Sequence, residues 1–236
     1  YSLTKPVTAV AVLMLYEEGL FALDDPIADY LPCFTDMKVY TQHGSTDAAG
    51  PITIRHLLTH CSGLTYSTSA DEPAVSALYK TAGLNDTLSR PAGLSLKSYV
   101  AALAALPLIV HPGSAWRYGE NFAVLARLVE VLASQPFNQF LKQRLFEPLG
   151  MVDTDYYVPP EKIGRLASLY EQSIGRDGFT QTDGYGGDYA QPTTLYGGGS
   201  GLVTTAIDYL SFAQMLLSSG ELGGKRLLQP DTVKLM

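Results

Sequence analysis

The hydrophobic positions of this chain follow helical spacing over most of its length. Residues 6–18 (PVTAVAVLMLYEE) are apolar on nearly every side, which predicts a buried helix rather than an amphipathic one. Pro6 is tolerated because it falls in the first turn, where its missing N–H has no partner to lose. Gly19 is the expected stop. Asp24-Asp25-Pro26 predicts a short helix that Pro32 ends, and Thr53 is placed to cap another over 54–59, closed by Ser62-Gly63. Residues 72–82 and 96–106 read as helices, the second capped by Ser95 and stopped by Pro107. The strongest periodicity follows Tyr118: Phe122, Leu125, Leu128, Val129 and Leu132 share one helical face. Pro136 starts a further helix to about Phe146. Residues 175–201 are rich in glycine and poor in aliphatics, predicting hairpins and loops. From Thr204 the pattern is helical again, with Asp208 in the first turn and Phe212, Met215 and Leu216 inward. No repeat or linker interrupts the chain, so 1–236 reads as a single unit, rich in helix and poor in strands.

Composition narrows the function classes. The 236 residues are 46% hydrophobic and 10% aromatic, the make-up of a folded, soluble chain rather than a disordered one. A net charge of −7 without a basic cluster argues against a nucleic-acid partner. The longest apolar run, Ala9 to Tyr16, is far short of the roughly 20 residues of a membrane span. Cys33 and Cys61 show neither CxxC nor metal spacing and are expected to be free thiols behaving as small apolar residues. The chain opens without an initiator Met and closes inside an expected helix after Pro230-Asp231. Both ends thus predict a fragment of a longer protein, with compartment and oligomeric state left undetermined.

Ser2-Leu3-Thr4-Lys5 is an S-x-x-K at the head of the most hydrophobic helix. Positions i and i+3 share a helical face, so the lysine amine can reach the serine hydroxyl. A serine becomes nucleophilic when a base takes its proton, and a desolvated lysine can be that base. The helix N-terminus adds free N–H groups that favour a developing oxyanion. By itself the tetrapeptide is a weak signal; its position on a helix where a lysine has no cheap structural reason to be strengthens it. Tyr118, in Trp116-Arg117-Tyr118-Gly119-Glu120-Asn121, could share the proton transfer, or be an ordinary aromatic at a helix start. His56 and His60 stand four apart like a metal pair, yet no H-E-x-x-H or third ligand completes it, so both are read as structural and no metal is expected. Gly197-Gly198-Gly199-Ser200-Gly201 fits no nucleotide-binding loop, and G-x-S-x-G is absent.

Together these strings resemble the serine β-lactamase-like superfamily and, within it, the family VIII carboxylesterases, which are similar to class C β-lactamases. SLTKPVTAVAVLMLYEEG resembles the nucleophile helix, and TIRHLLTHCSGLTY resembles an H-L-L-T-H-T-S-G-L stretch, with Cys61 in place of threonine. PGSAWRYGENFAVLARLVEVL, LFEPLGMVDT and GGGSGLVTTAIDYLSFAQMLL follow in the family's order. The resemblance implies an α+β, β-lactamase/transpeptidase-like fold, here a partial domain with a helical region over about 50–220. It implies Ser2 as acylated nucleophile, Lys5 as its base and Tyr118 as proton shuttle, with Trp116 and Glu120 as substrate-binding positions. The implied reaction is hydrolysis of small, short-acyl esters, with no cofactor.

Two departures qualify what is implied. The family's Y-x-N carries Glu120 at its third position, with Asn121 displaced by one, which leans towards esters and away from β-lactams. The K-T-G, H-x-G or W-G-G element expected after the tyrosine is absent. The sequence therefore predicts that the N-terminal strands and the C-terminal sheet strands lie outside this chain. The isolated fragment is then expected to be nearly inactive and aggregation-prone, because strands that cover the nucleophile helix would be missing. The alternatives are a β-lactamase or D-alanyl-D-alanine carboxypeptidase, an acyltransferase using the same acyl-enzyme, and a non-catalytic binding relative.

Overall fold

A computed structural model of the chain describes residues 1–84, 93–172, 178–182 and 189–236. Helix α1 (Thr4–Glu17) is the central element. Its residues from Val10 to Leu15 are all buried, with Val10, Ala11 and Val12 at 0% exposure, as its all-round apolar pattern requires. One side packs on α5 (Asn121–Ala133), whose stripe of Leu125, Leu128 and Val129 is fully buried. Around α5 gather α2 (Ile54–Leu58), α4 (Leu96–Ala104) and α6 (Phe137–Leu141), with α3 (Pro73–Thr81) contributing the buried Val75 and Tyr79. The helix of α6 widens through a π turn, Lys142–Phe146, into the short α7 (Glu147–Leu149). Helices α8 (Ala206–Leu217) and α9 (Pro230–Leu235) complete the helical set.

Local capping explains several boundaries. Thr53 Oγ1 accepts the His56 amide at 3.1 Å, while His56 Nδ1 accepts the Thr53 amide at 3.2 Å. His56 is thereby the return arm of a capping box, which gives it a structural role. Ser95 and Ser98 close α4 in the same reciprocal way.

The β-structure consists of antiparallel hairpins: β1 (Lys38–Thr41) with β2 (Gly44–Asp47), β3 (Leu169–Gln172) with β4 (Phe179–Thr182), and β5 (Glu221–Leu222) with β6 (Lys225–Arg226). No larger sheet forms among the described residues. The α+β, mostly helical class is therefore observed. Part of the glycine-rich stretch expected over 175–201 lies outside the described residues.

Three expectations need correction. The segment after Asp24 is not one helix ended by Pro32. It forms two separate 3-10 turns, Ile27–Asp29 and Pro32–Phe34, because a proline fits the first position of a turn better than its end. Cys33 is exposed and Cys61 half-buried; Phe34 takes the inward position of that turn at 2% exposure. Helix α1 does not lie bare on one side. The 198–202 segment and Gln229 also bond to α1. Exposed apolar residues are found elsewhere, among them Ile207, Leu210 and Leu217 on α8, at 76%, 55% and 86% exposure, and Val152 at 76%.

Candidate active site

Ser2 lies in the turn that leads into α1. Its carbonyl accepts the Lys5 amide at 3.0 Å, so this turn already follows helical geometry and sets the two side chains side by side. Lys5 Nζ donates to Ser2 Oγ at 3.2 Å and to the Gly199 carbonyl at 2.8 Å. The lysine is only 8% exposed, and its Nζ sits 4.7 Å from the centroid of the Tyr118 ring, over the ring face. Tyr118 OH lies 2.6 Å from Ser2 Oγ across 116 positions of sequence. One hydroxyl thus touches an amine and a phenol. That arrangement can support nucleophilic attack coupled to proton transfer.

Tyr118 is placed by a backbone clamp. The Arg117 amide donates to the His60 carbonyl at 2.7 Å, and the Glu120 amide to the Thr65 carbonyl at 3.3 Å. Between them, a Cβ on Gly119 would stand 2.3 Å from the Leu64 carbonyl oxygen, so only glycine lets the two segments meet. The rings of His60, Tyr66 and Trp116 surround Tyr118 at centroid distances of 4.7, 5.5 and 6.0 Å.

Lys5 is placed by the strap over 197–202. Tyr156 OH donates to the Gly197 carbonyl and Thr8 Oγ1 to the Gly198 carbonyl, at 2.8 and 2.7 Å. The Leu202 amide reaches Thr4 Oγ1 at 3.4 Å. A Cβ on Gly198 would sit 2.1 Å from the Phe122 carbonyl oxygen. Gly198→Ala is therefore expected to destabilise the fold by about 1–3 kcal/mol, because the strap must move off α5. Urea unfolding of the variant beside the parent protein checks this.

Ser2, Lys5 and Tyr118 line a cleft of about 350 Å³, with Tyr66, Thr68, Ser69 and Asp71 on its wall and Gly199 and Ser200 on the strap. A larger hollow of about 730 Å³ between 151–155 and 203–205 contains none of the three. Trp116 is 60% exposed and stacks on Tyr118 beside this cleft. Glu120 is elsewhere: it is 2% exposed, and its Oε1 accepts from Tyr99 OH at 2.8 Å. It faces the α4–α5 packing and does not line the cleft, because the residue two after Tyr118 already turns inward as α5 begins. Asn121 is fully buried and bonds to Ser62 and His60.

His60 is 9% exposed, and its pKa is lowered to about 4, first by burial and then by the charge of Lys5. Burial also lowers the pKa of His56. Among the described residues no group of three or more His, Cys, Asp or Glu side chains converges as a metal site would require.

The sequence assigned no site role to Tyr66, to the polar wall over 68–71 or to Gly199, which was named only within a glycine run. Tyr66 directly follows the T-H-C-S-G-L-T string, which was its available signal. Gly199 contributes a carbonyl, which every residue carries, so no residue type could have marked it.

The sequence model of the beta-lactamase family matches residues 1–236. This chain belongs to that family. It is 36% identical over its whole length to a Mycobacterium tuberculosis protein, Rv1367c, covering 57% of it. It is 30% identical over its whole length to the lovastatin esterase of Penicillium rubens, again covering 57%. The solved structure of EstCE1, described as a hydrolase with promiscuous acyltransferase activity, superposes on all of this chain with a TM-score of 0.80 and 28% identity, 61% of that protein being covered. The chain thus spans somewhat over half the length of these relatives. The match to EstCE1 agrees with the β-lactamase/transpeptidase-like fold expected from the sequence.

Proposed function

We propose that this chain carries the acylating centre of a serine hydrolase acting on small, short-acyl carboxylic esters. The observation that carries the reading is the joint contact of Ser2 Oγ with Lys5 Nζ and Tyr118 OH, at 3.2 and 2.6 Å. In this reading Lys5 acts as the free amine and takes the proton of Ser2 Oγ as that oxygen attacks the ester carbonyl carbon. Negative charge grows on the carbonyl oxygen beside the N-terminal end of α1, where the helix dipole favours it. Tyr118 then delivers a proton to the departing alkoxide, and the C–O bond breaks to give acyl-Ser2 and an alcohol. Water attacks the acyl group and loses its proton to the same pair, so carboxylic acid leaves and Ser2 is restored. The esterase and hydrolase descriptions of the relatives support this class of reaction.

Acyl transfer is a second reading, favoured by the description of EstCE1. It differs only in the last step, where an alcohol replaces water. The position of Glu120 in the interior leaves the preference for esters over β-lactams resting on the absence of an asparagine at that point of the sequence.

The test is to mix the intact protein with p-nitrophenyl acetate, quench early and map peptides. An acetyl group on Ser2, formed with a burst of p-nitrophenol, is expected. Ester turnover without any adduct on Ser2 would remove the reading. Added alcohols that divert the acetyl group into a new ester would favour transfer over hydrolysis.

A further inference from the structure

Behind Tyr118 lies a buried polar chain that the proposed reaction does not use. The Leu64 amide donates to Ser62 Oγ at 3.1 Å. This occupies the hydroxyl oxygen as acceptor and leaves its hydrogen for Asn121 Oδ1 at 2.5 Å. That bond orients the Asn121 amide, so Nδ2 with its hydrogens faces His60 Nδ1 at 2.9 Å. An N–H can be received there only by an unprotonated ring nitrogen. His60 therefore carries its proton on Nε2. Ser62 and Asn121 are both fully buried, so water does not compete for these bonds. The imidazole so oriented packs against Tyr118 at 4.7 Å and Phe122 at 5.3 Å. His60 itself has a φ of +56°, a left-handed conformation that a non-glycine residue keeps only when its surroundings hold it.

We propose that His60 is a positioning residue for Tyr118, oriented by Asn121 and Ser62 into the tautomer that accepts at Nδ1. The inference rests on the acyl-enzyme reading of Ser2. The imidazole forms the back wall of the phenol ring, and the His60 carbonyl holds the amide just before it. Both contacts fix the direction in which the hydroxyl meets Ser2. The titratable groups that bear on His60 are Lys5 from α1 and Tyr118 from the segment ahead of α5. Protonating Nδ1 would set two donors against each other at Asn121 and add a positive charge beside Lys5, in keeping with the depressed ionisation of this ring.

Asn121→Asp keeps the shape of the side chain and reverses one bond. An oxygen now faces Nδ1 and draws a proton onto it, making imidazolium near neutral pH. In the intact protein, kcat for p-nitrophenyl acetate at about pH 7 is expected to fall about 10²-fold, as small misplacements of catalytic groups do, with KM within about twofold. Part of the loss returns as pH rises through the imidazolium pKa, a step absent from the wild-type profile at about pH 6–8. Wild-type kcat and profile in the variant would overturn the proposal. So would a uniform loss that tracks a fall in Tm without a new pH step. Independently of any variant, long-range ¹H–¹⁵N NMR of the wild-type protein is expected to show His60 neutral with its proton on Nε2, and a proton on Nδ1 would overturn the proposal. Absence of acylation at Ser2 in the wild type would instead remove the underlying reading, whatever the tautomer.

Discussion

Ser2→Ala is expected to lower ester turnover of the intact protein by about 10⁴-fold or more, since losing a sole nucleophile has effects of that order. Stability should barely change. Ser2 is exposed in the turn before α1, and surface substitutions of this kind stay within about 0.5 kcal/mol. Any residual rate would reflect substrate held beside the helix N-terminus with water as nucleophile. Initial rates with p-nitrophenyl acetate, alongside a urea midpoint, make the measurement. The same variant separates catalysis from a non-catalytic binding role, because a binding module would be indifferent to loss of one exposed hydroxyl. A Ser2→Ala protein that kept a substantial fraction of wild-type turnover would place the chemistry elsewhere.

Lys5→Met is expected to reduce turnover by about 10²–10⁴-fold, the range for loss of a positioned acid–base group, while leaving the fold intact. Methionine keeps the unbranched stem that reaches the Tyr118 and Phe122 rings and removes a charge whose burial is unfavourable. Against this gain, the Gly199 carbonyl loses its 2.8 Å donor, at a cost of about 1–3 kcal/mol for a buried group left unpaired. The two terms oppose each other, so the urea midpoint should move little compared with the rate. Lys5→Arg sharpens the test. A guanidinium supplies the charge over Tyr118 but does not give up its proton, so this variant should be as inactive as Lys5→Met if Lys5 is the base. Retained activity in Lys5→Arg, with loss in Lys5→Met, would assign Lys5 an electrostatic role only.

The helical elements were legible in the sequence where their signals are local. The all-round apolar run of α1, the Thr53 and Ser95 caps and the stripe of α5 are each written within a few residues, and each is found where expected. Ser2 and Lys5 were legible for the same reason, as three residues of one turn bring them together. The segment from Asp24 was misread because two prolines open turns as readily as they close them, and periodicity over so few residues does not separate the cases.

Tertiary structure alone decided what meets those two residues. The approach of Tyr118 to Ser2 depends on α1 packing against α5 and on the clamp between 60–65 and 117–120, in which backbone amides and carbonyls hold the phenol in place. The Gly199 carbonyl reaches Lys5 because Gly198 lacks the Cβ that would strike Phe122. Glu120 turned inward to Tyr99 because the start of α5 sets its direction, not its residue type. The sequence by itself thus determined the helices, their caps and the serine–lysine pair, all governed by spacing within one or two turns. The third member of the cluster, the strap behind the lysine and the network behind the tyrosine belong to contacts distant along the chain, many made by backbone groups that every residue shares.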